Sequence, residues 1–129
     1  MTGKSVPRIL LVDSEPKWSQ TVKAALERQG RYRVESVTDI RDALDYSYAN
    51  GFNLILINAS LALGEDVSAF EEIVRMYADK VLVLSDVRSI STAIKVFKMG
   101  ADYAEKPFEP RRVIELVASH VQGAYGAAS

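Results

Sequence analysis

The stretch NLILINAS, Asn53–Ser60, places four consecutive apolar residues before the amide of Asn58. Apolar runs of strand length that are rich in Ile, Leu and Val are typical of strands buried on both faces, as in a parallel sheet covered by helices. Four other segments share this character, two of them strongly and two weakly. In chain order the predicted strands are Ile9–Val12, Tyr32–Val37 (weak), Leu54–Ile57, Val81–Leu84 and Tyr103–Ala104 (short).

Segments with helical spacing separate these runs, and capping residues mark their ends. The predicted helix starts are Ser14 with Pro16, Thr38 or Asp39, Asp66, Ser89 and Pro110, and the predicted stops are Gly30, Asn50–Gly51 and Gly100. The fourth helix carries Ile90, Ala93, Ile94 and Phe97 on one face. Five strands alternating with five helices predict an α/β domain, a doubly wound parallel sheet with right-handed crossovers and helices on both faces.

The composition narrows the class of protein. A chain of 129 residues with 48% apolar and 26% charged residues suits one globular domain. Its net charge of −1 gives no electrostatic reason to expect nucleic acid or an anionic membrane as a partner. Without cysteine, disulfides, thiolate zinc sites and cysteine nucleophiles are excluded. No apolar stretch is long enough for a membrane helix, and the start MTGKSVPR lacks the apolar segment of a signal peptide, so a cytoplasmic protein is expected.

Polar side chains follow four of the five predicted strands. Ligand sites in doubly wound sheets lie at the carboxyl ends of the strands, where these side chains would meet around one mouth. Each residue alone is more commonly a cap, a turn or a surface charge, but four strand ends with complementary groups indicate a functional site. The residues are Asp13, Ser14, Asn58, Ser85, Asp86 and Lys106.

Together, these motifs resemble the receiver domain of bacterial two-component response regulators. The motifs, in chain order, are RILLVDSEP, NLILIN, VLVLSD and KMGADYAEKPF, the last ending in Lys106-Pro107-Phe108. The resemblance covers residues 7–121, which leaves 1–6 as an N-terminal extension and 122–129 as a tail or the start of a linker. It implies a flavodoxin-like five-stranded sheet in the order 2-1-3-4-5 and a role in phosphorelay signalling rather than enzymatic catalysis.

The resemblance also implies a role for each strand-end residue. It assigns Asp13 and Ser14 to the acidic pair that holds Mg²⁺, Asn58 to the aspartate that accepts a phosphoryl group from a histidine kinase, Ser85 and Tyr103 to the switch, and Lys106 to the lysine that contacts phosphoryl oxygens. Two of these positions depart from the family pattern, because Ser14 and Asn58 stand where acids are expected.

Both departures weaken the chemistry. A neutral carboxamide is a far poorer nucleophile than a carboxylate, so Asn58 is not expected to form an acyl phosphate. Mg²⁺ prefers anionic oxygen. The charges at Asp13, Ser14, Asn58 and Lys106 cancel, so Mg²⁺ binding is expected to be weak or absent, with Asp13 as the remaining metal ligand. No other cofactor is implied.

Nearby acids leave the metal question open. Asp86 follows Ser85 where receivers usually carry a small residue, and it could crowd the mouth, pair with Lys106, restore charge or point to solvent. Glu15, Glu65 and Asp66, the last also a predicted helix start, are near enough in sequence to act as substitute ligands. We expect Lys106 to pair with Asp13, Asp86 or both, which would close the pocket without a metal.

Three functions fit these residues. The first is a pseudo-receiver that acts by binding a protein partner, namely an output domain, a histidine kinase or another signalling protein. The second is a receiver still phosphorylated at Ser60 or a nearby acid. The third is a flavodoxin-like domain that binds a small ligand such as a flavin, although no glycine-rich phosphate loop follows any strand. His120, in the last helix, is expected to be structural.

A homodimer through the last two helices and the last strand is a further expectation. Receivers commonly use this face for dimers or for contact with an output domain. Both signs of charge occur there, which suits a polar rim around an apolar centre as well as a plain solvated surface. The charged residues are Lys95, Lys98, Asp102, Glu105, Arg111 and Arg112.

Overall fold

The structure, a computed structural model, describes residues 6–28, 30–107 and 109–126. Five parallel strands form one sheet in the order β2-β1-β3-β4-β5, which confirms the expected order. The strands are β1 Arg8–Val12, β2 Arg33–Val37, β3 Leu54–Asn58, β4 Val81–Ser85 and β5 Asp102–Glu105. Each lies within two residues of its prediction, and β3 and β4 extend to include Asn58 and Ser85.

Within the described residues, six helices accompany the sheet, one more than predicted. They are α1 Pro16–Glu27, α2 Ile40–Ala49, α3 Ala59–Ala62, α4 Val67–Met76, α5 Ile90–Met99 and α6 Arg112–Gly126. The additional helix, α3, is a single turn that begins directly after Asn58. Four residues are too few to show a helical period, so the sequence pattern could not indicate it.

The alternation of side chains along each strand divides the core into two layers. In β3, Ile55 and Ile57 face the layer formed with α2, α3, α4 and α5, whereas Leu54 and Leu56 face α1 and α6. All four side chains are buried. Because successive strand residues point to opposite faces, a strand covered on both sides has to be apolar throughout. This requirement explains the uninterrupted LILI run.

Three predicted helix ends are confirmed. The Asp39 side chain accepts a hydrogen bond from the N–H of Asp42 at 2.8 Å, and that of Ser89 accepts one from the N–H of Thr92 at 3.2 Å. Gly100 ends α5 with φ at 99°, a left-handed conformation that glycine adopts without a steric penalty. Asp39 and Ser89 thus fix where α2 and α5 begin, and Gly100 fixes where α5 ends.

Two predicted helix starts are wrong. Glu15, not Ser14, occupies the cap position of α1, because the Asp13 carboxylate accepts the N–H of Glu15 and sets the entry into the helix. Pro110 lies in the turn before α6, where its carbonyl accepts the N–H of Val113, and the helix begins at Arg112.

The chain ends also differ from the prediction. α6 continues to Gly126, so the stretch 122–129, predicted as a tail or linker, is helical over its first five residues. Extending an existing helix fixes one residue per added hydrogen bond and needs no apolar period. Residues 1–5 of the predicted extension, and Phe108 of the Lys106–Phe108 motif, lie outside the described residues. Within the described part of the chain, no helix is long and apolar enough to cross a membrane.

Candidate functional site

Asp13 lies at the carboxyl end of β1 and is buried, with 3% of its surface exposed. Its Oδ1 accepts the backbone N–H of Glu15 at 2.8 Å. Its Oδ2 lies 2.9 Å from Nζ of Lys106 and 3.3 Å from Nδ2 of Asn58. A buried carboxylate needs partners of this kind to remain charged. Asp13 is therefore both the turn residue before α1 and the acid at the centre of the site.

The orientation of the Asn58 amide follows from its partners. Its Oδ1 accepts the backbone N–H of Ser60 at 2.9 Å and the hydroxyl of Ser60 at 2.6 Å. A backbone N–H can only donate, so the amide oxygen has to face α3 and the NH₂ group has to face the mouth. There Nδ2 donates to Asp13 and Asp86, each at 3.3 Å. Asn58 thus caps α3 with its oxygen and presents two hydrogens to the acids.

Lys106 closes the cluster from the end of β5. Its backbone N–H donates to the carbonyl of Ser85, and its side chain is only 5% exposed. Besides Asp13, the ammonium contacts Glu15 at 2.7 Å and Asp86 at 3.5 Å. It also lies 4.4 Å from the ring centroid of Trp18, within cation–π range. The predicted pairing of Lys106 with Asp13 and Asp86 is confirmed.

The Lys106 ammonium is stabilised in its charged form. Burial alone would lower the pKa of this amine, but the hydrogen bonds to Glu15 and Asp13 and the charges of Asp13 and Asp86 outweigh it, so the pKa is raised above its ordinary value. Three carboxylates and one ammonium leave the cluster with a formal charge of −2. Counting only the four family positions gave zero. That sum missed Glu15 and Asp86, which are largely exposed but reach the Lys106 ammonium.

The other proposed ligands lie outside this cluster. Ser14 is exposed and, within the described residues, takes no part in its hydrogen bonds. Asp66 pairs instead with Arg41 at 3.3 Å, and Glu65 is exposed. The sequence did contain a signal for Glu15, because a residue two positions after a strand-end acid lies at the same mouth. Nothing in the sequence distinguished its direction from that of Glu65.

The residues that could ligate a cation are Asp13, Glu15 and Asp86. Mg²⁺ requires about six oxygen ligands in octahedral geometry at ~2.0–2.1 Å. In this arrangement the Lys106 ammonium lies among the three carboxylates, and Asn58 directs N–H groups, which cannot ligate a metal, toward two of them. The side-chain oxygen of Asn58 is committed to Ser60. A bound ion would have to displace the ammonium and the amide hydrogens from the carboxylate oxygens.

The two residues that the resemblance assigns to a switch, Ser85 and Tyr103, meet at one carbonyl. Ser85 is buried, and its hydroxyl donates to the carbonyl of Val87 at 2.6 Å. The Tyr103 hydroxyl donates to the same carbonyl at 3.2 Å and accepts the N–H of Ser89 at 3.2 Å. Both hydroxyls hold the loop between β4 and α5. A change at either residue would therefore alter the position of the start of α5.

That loop leads into an exposed apolar surface, which we call the α5 stripe. It consists of Val87, Ile90, Ile94 and Phe97, whose exposed fractions lie between 48 and 76%. The sequence predicted three of them on one helical face, and the amphipathic pattern resembled that of a core-facing helix. In the structure the buried residue of α5 is Val96 instead. Contiguous apolar side chains in solvent are a mark of an interaction surface.

Comparisons with known proteins agree with this arrangement. The family described as "Response regulator receiver domain" matches residues 9–118. The transcriptional regulatory protein YvrH of Bacillus subtilis is 30% identical over 122 residues, which cover 91% of this chain and 50% of YvrH. The transcriptional activator protein PfeR of Pseudomonas aeruginosa is 30% identical over 103 residues, 79% of this chain and 33% of PfeR. A CheY-like receiver domain protein from Methanospirillum hungatei superposes with a TM-score of 0.83 at 25% identity, covering 95% of this chain and 99% of that one.

The fold is that of a receiver domain, and the chain belongs to the response regulator receiver domain family. The chain spans half the length of YvrH and a third of that of PfeR. The regulatory activities of those longer proteins are therefore not assigned to this domain.

Proposed function

We propose that this receiver domain is a pseudo-receiver, a signalling module that acts through protein contacts and neither catalyses a reaction nor accepts a phosphoryl group at residue 58. The carrying observation is Asn58 at the carboxyl end of β3, with its oxygen bonded to Ser60 and its nitrogen directed at Asp13 and Asp86. An amide so placed offers no anionic oxygen to attack phosphorus.

The same contacts support weak or absent binding of Mg²⁺. The Lys106 ammonium already neutralises part of the charge of Asp13, Glu15 and Asp86, and it would have to move before a metal could enter. Moving the ammonium would leave the buried Asp13 carboxylate without its cation, which is costly for a buried charge. The formal −2 charge still attracts cations at long range, so weak binding at the outer, exposed acids is compatible with the proposal.

The partner surface that we propose is the α5 stripe together with the charged residues around it. Lys95 and Lys98 flank the stripe on α5, and Asp102 and Glu105 lie on the neighbouring β5. A two-fold interface brings the same patch from both copies together, so it needs an apolar centre and charges of both signs. This patch has both, which favours a homodimer or contact with an output domain or kinase of matching character.

Phosphorylation at Ser60 is a second candidate. The Ser60 side chain is exposed, which favours access by a phosphodonor. Its proton, however, is given to the neutral oxygen of Asn58, and no carboxylate among the described residues accepts it. Without a general base, the hydroxyl is a weak nucleophile.

Incubation with acetyl phosphate and Mg²⁺, followed by intact-mass spectrometry, tests the proposal. We expect no phosphoryl adduct on the natural chain or on Ser60→Ala, and an acid-stable but base-labile adduct on Asn58→Asp if the rest of the site is competent. Asn53→Asp, at the other end of β3, is the matched control for adding one acid. A stoichiometric adduct on the natural chain would reject the proposal, and its loss in Ser60→Ala would establish the second candidate.

A further inference from the structure

A groove of about 180 Å³ lies between the end of α1 and the first half of α6. It is remote from the strand-end site. α1 starts beside that site and runs away from it for 12 residues, which is about 18 Å at ~1.5 Å per residue. Three arginines and a set of apolar or aromatic residues line the groove. They are Arg28, Arg31, Arg111, Ala25, Leu26, Tyr32, Ile114 and Ala118.

The three groove arginines are among those that lack a carboxylate partner within the described residues, as are Arg33 and Arg75. Other arginines have a carboxylate partner, namely Arg8, Arg41, Arg88 and Arg112. Within residues 6–28, 30–107 and 109–126, no ion pair is formed by Arg28, Arg31 or Arg111. The acid nearest to Arg28 in sequence, Glu27, is engaged with the backbone N–H of Val34 at 3.0 Å, and the acid nearest to Arg111, Glu109, pairs with Arg112 at 3.9 Å. The groove therefore presents three guanidinium groups that form no ion pair among the described residues.

Positive charge and apolar surface occur together here. Guanidinium groups bind carboxylates and phosphates through two parallel hydrogen bonds. Leu26, Ile114 and Ala118 offer no polar side-chain groups, so they favour a hydrocarbon portion of a ligand. The volume equals about six water molecules at ~30 Å³ each, which limits the ligand to a small molecule.

We propose that this groove binds a small molecule with one anionic head group, a carboxylate or a phosphate, and a short apolar body. The site is separate from residue 58, so the proposal is independent of whether the domain accepts a phosphoryl group. Such a ligand would join α1 to α6 across the face of the sheet opposite α5.

The test is a ¹H–¹⁵N NMR titration of the whole chain with hexanoate, hexyl phosphate, inorganic phosphate and hexylamine. We expect hexanoate or hexyl phosphate to give saturable shifts at the amides of Ile114 and Ala118, and the stronger of the two identifies the preferred head group. Inorganic phosphate should bind about tenfold more weakly because it lacks the apolar body, and hexylamine should not bind.

Variants locate the effect. Arg28→Gln and Arg111→Gln should each weaken binding of the preferred probe about tenfold, the loss of one charge-assisted contact. Arg75→Gln, an exposed arginine on α4 without an ion pair in the described residues, should leave binding unchanged. The proposal is overturned if neither hexanoate nor hexyl phosphate gives saturable shifts, if inorganic phosphate binds as tightly as they do, or if Arg75→Gln weakens binding as much as Arg28→Gln.

Discussion

The strand-end site and the α5 stripe differ in whether their side chains contact partners within the molecule. At the site, Asn58 and Lys106 both donate to Asp13, and the three side chains are almost completely buried. In the stripe, apolar side chains such as Ile90 are held in solvent. In a phosphorylated receiver, the strand-end site is the part that reacts. Here the polar groups of that site have their bonding partners within the chain, and the exposed apolar surface lies on α5.

The amide at residue 58 also determines how the neighbouring acids of the strand-end site are held. A carboxylate at residue 58 would repel Asp13 and Asp86, and the Lys106 ammonium would then face one more negative charge. The Asn58 amide instead donates its two N–H groups to the same acids. Each of the following changes disturbs one side of the contrast, in order of decreasing effect on stability.

Lys106→Met should have the largest effect, because it leaves three carboxylates without their ammonium and one of them, Asp13, is buried. Removing one partner of a buried ion pair costs about 3–5 kcal/mol, and we expect the lower end because Glu15 and Asp86 can turn to solvent. Urea denaturation measures the loss. Lys95→Met, an exposed lysine on α5, is the control and should change stability by less than ~0.5 kcal/mol. A loss below ~1 kcal/mol in Lys106→Met would mean that the ion pairs do not hold the site.

Asn58→Asp should destabilise the protein less, by about 1–2 kcal/mol without a divalent cation, because like charges then face one another. The Ser60 cap is retained, since a carboxylate also accepts the N–H. Thermal unfolding with and without Mg²⁺ measures this, and the ion should restore part of the loss. Equal stability of both proteins in the absence of Mg²⁺ would show that the amide hydrogens contribute nothing.

Tyr103→Phe removes a donor to Val87 and an acceptor for Ser89. We expect a loss of about 0.5–1.5 kcal/mol, together with amide shifts along the loop into α5 that mark a link between the site and the stripe. Tyr48→Phe, on a tyrosine that is 60% exposed, serves as the control. Amide shifts confined to Tyr103 and its immediate sequence neighbours would show that the strand-end site and the α5 stripe are not linked.

Ile90→Asp should change the free energy of unfolding by less than ~0.5 kcal/mol, since Ile90 is 76% exposed. If the stripe is an interface, the same change should abolish self-association measured by analytical ultracentrifugation. Val67→Asp, which alters an exposed apolar residue on α4, should leave association intact. A natural chain that remains monomeric at high concentration would redirect the proposal from a second copy to a different protein partner.

The sequence was informative where a physical requirement acts on every residue of a segment. β3 and β4 had to be apolar throughout because both faces are covered, so their positions, and hence those of Asn58 and Ser85, could be predicted. The sequence was uninformative where a single side chain can point either into the site or into solvent. Glu15 is 66% exposed yet bonds Lys106, whereas Glu65 lies outside the cluster. The exposure of the α5 stripe could not be predicted either, because an apolar helical face has the same sequence pattern whether it packs against the core or binds a partner.

The most direct test of a site closed by its own bonds is a titration of Trp18 fluorescence with Mg²⁺. Trp18 is the only tryptophan, and its ring centroid lies 4.4 Å from the Lys106 ammonium, so any displacement of that ammonium should alter its emission. We predict no saturable change for the natural chain up to millimolar Mg²⁺ and a saturable change for Asn58→Asp. Tight, saturable binding by the natural chain would contradict the account.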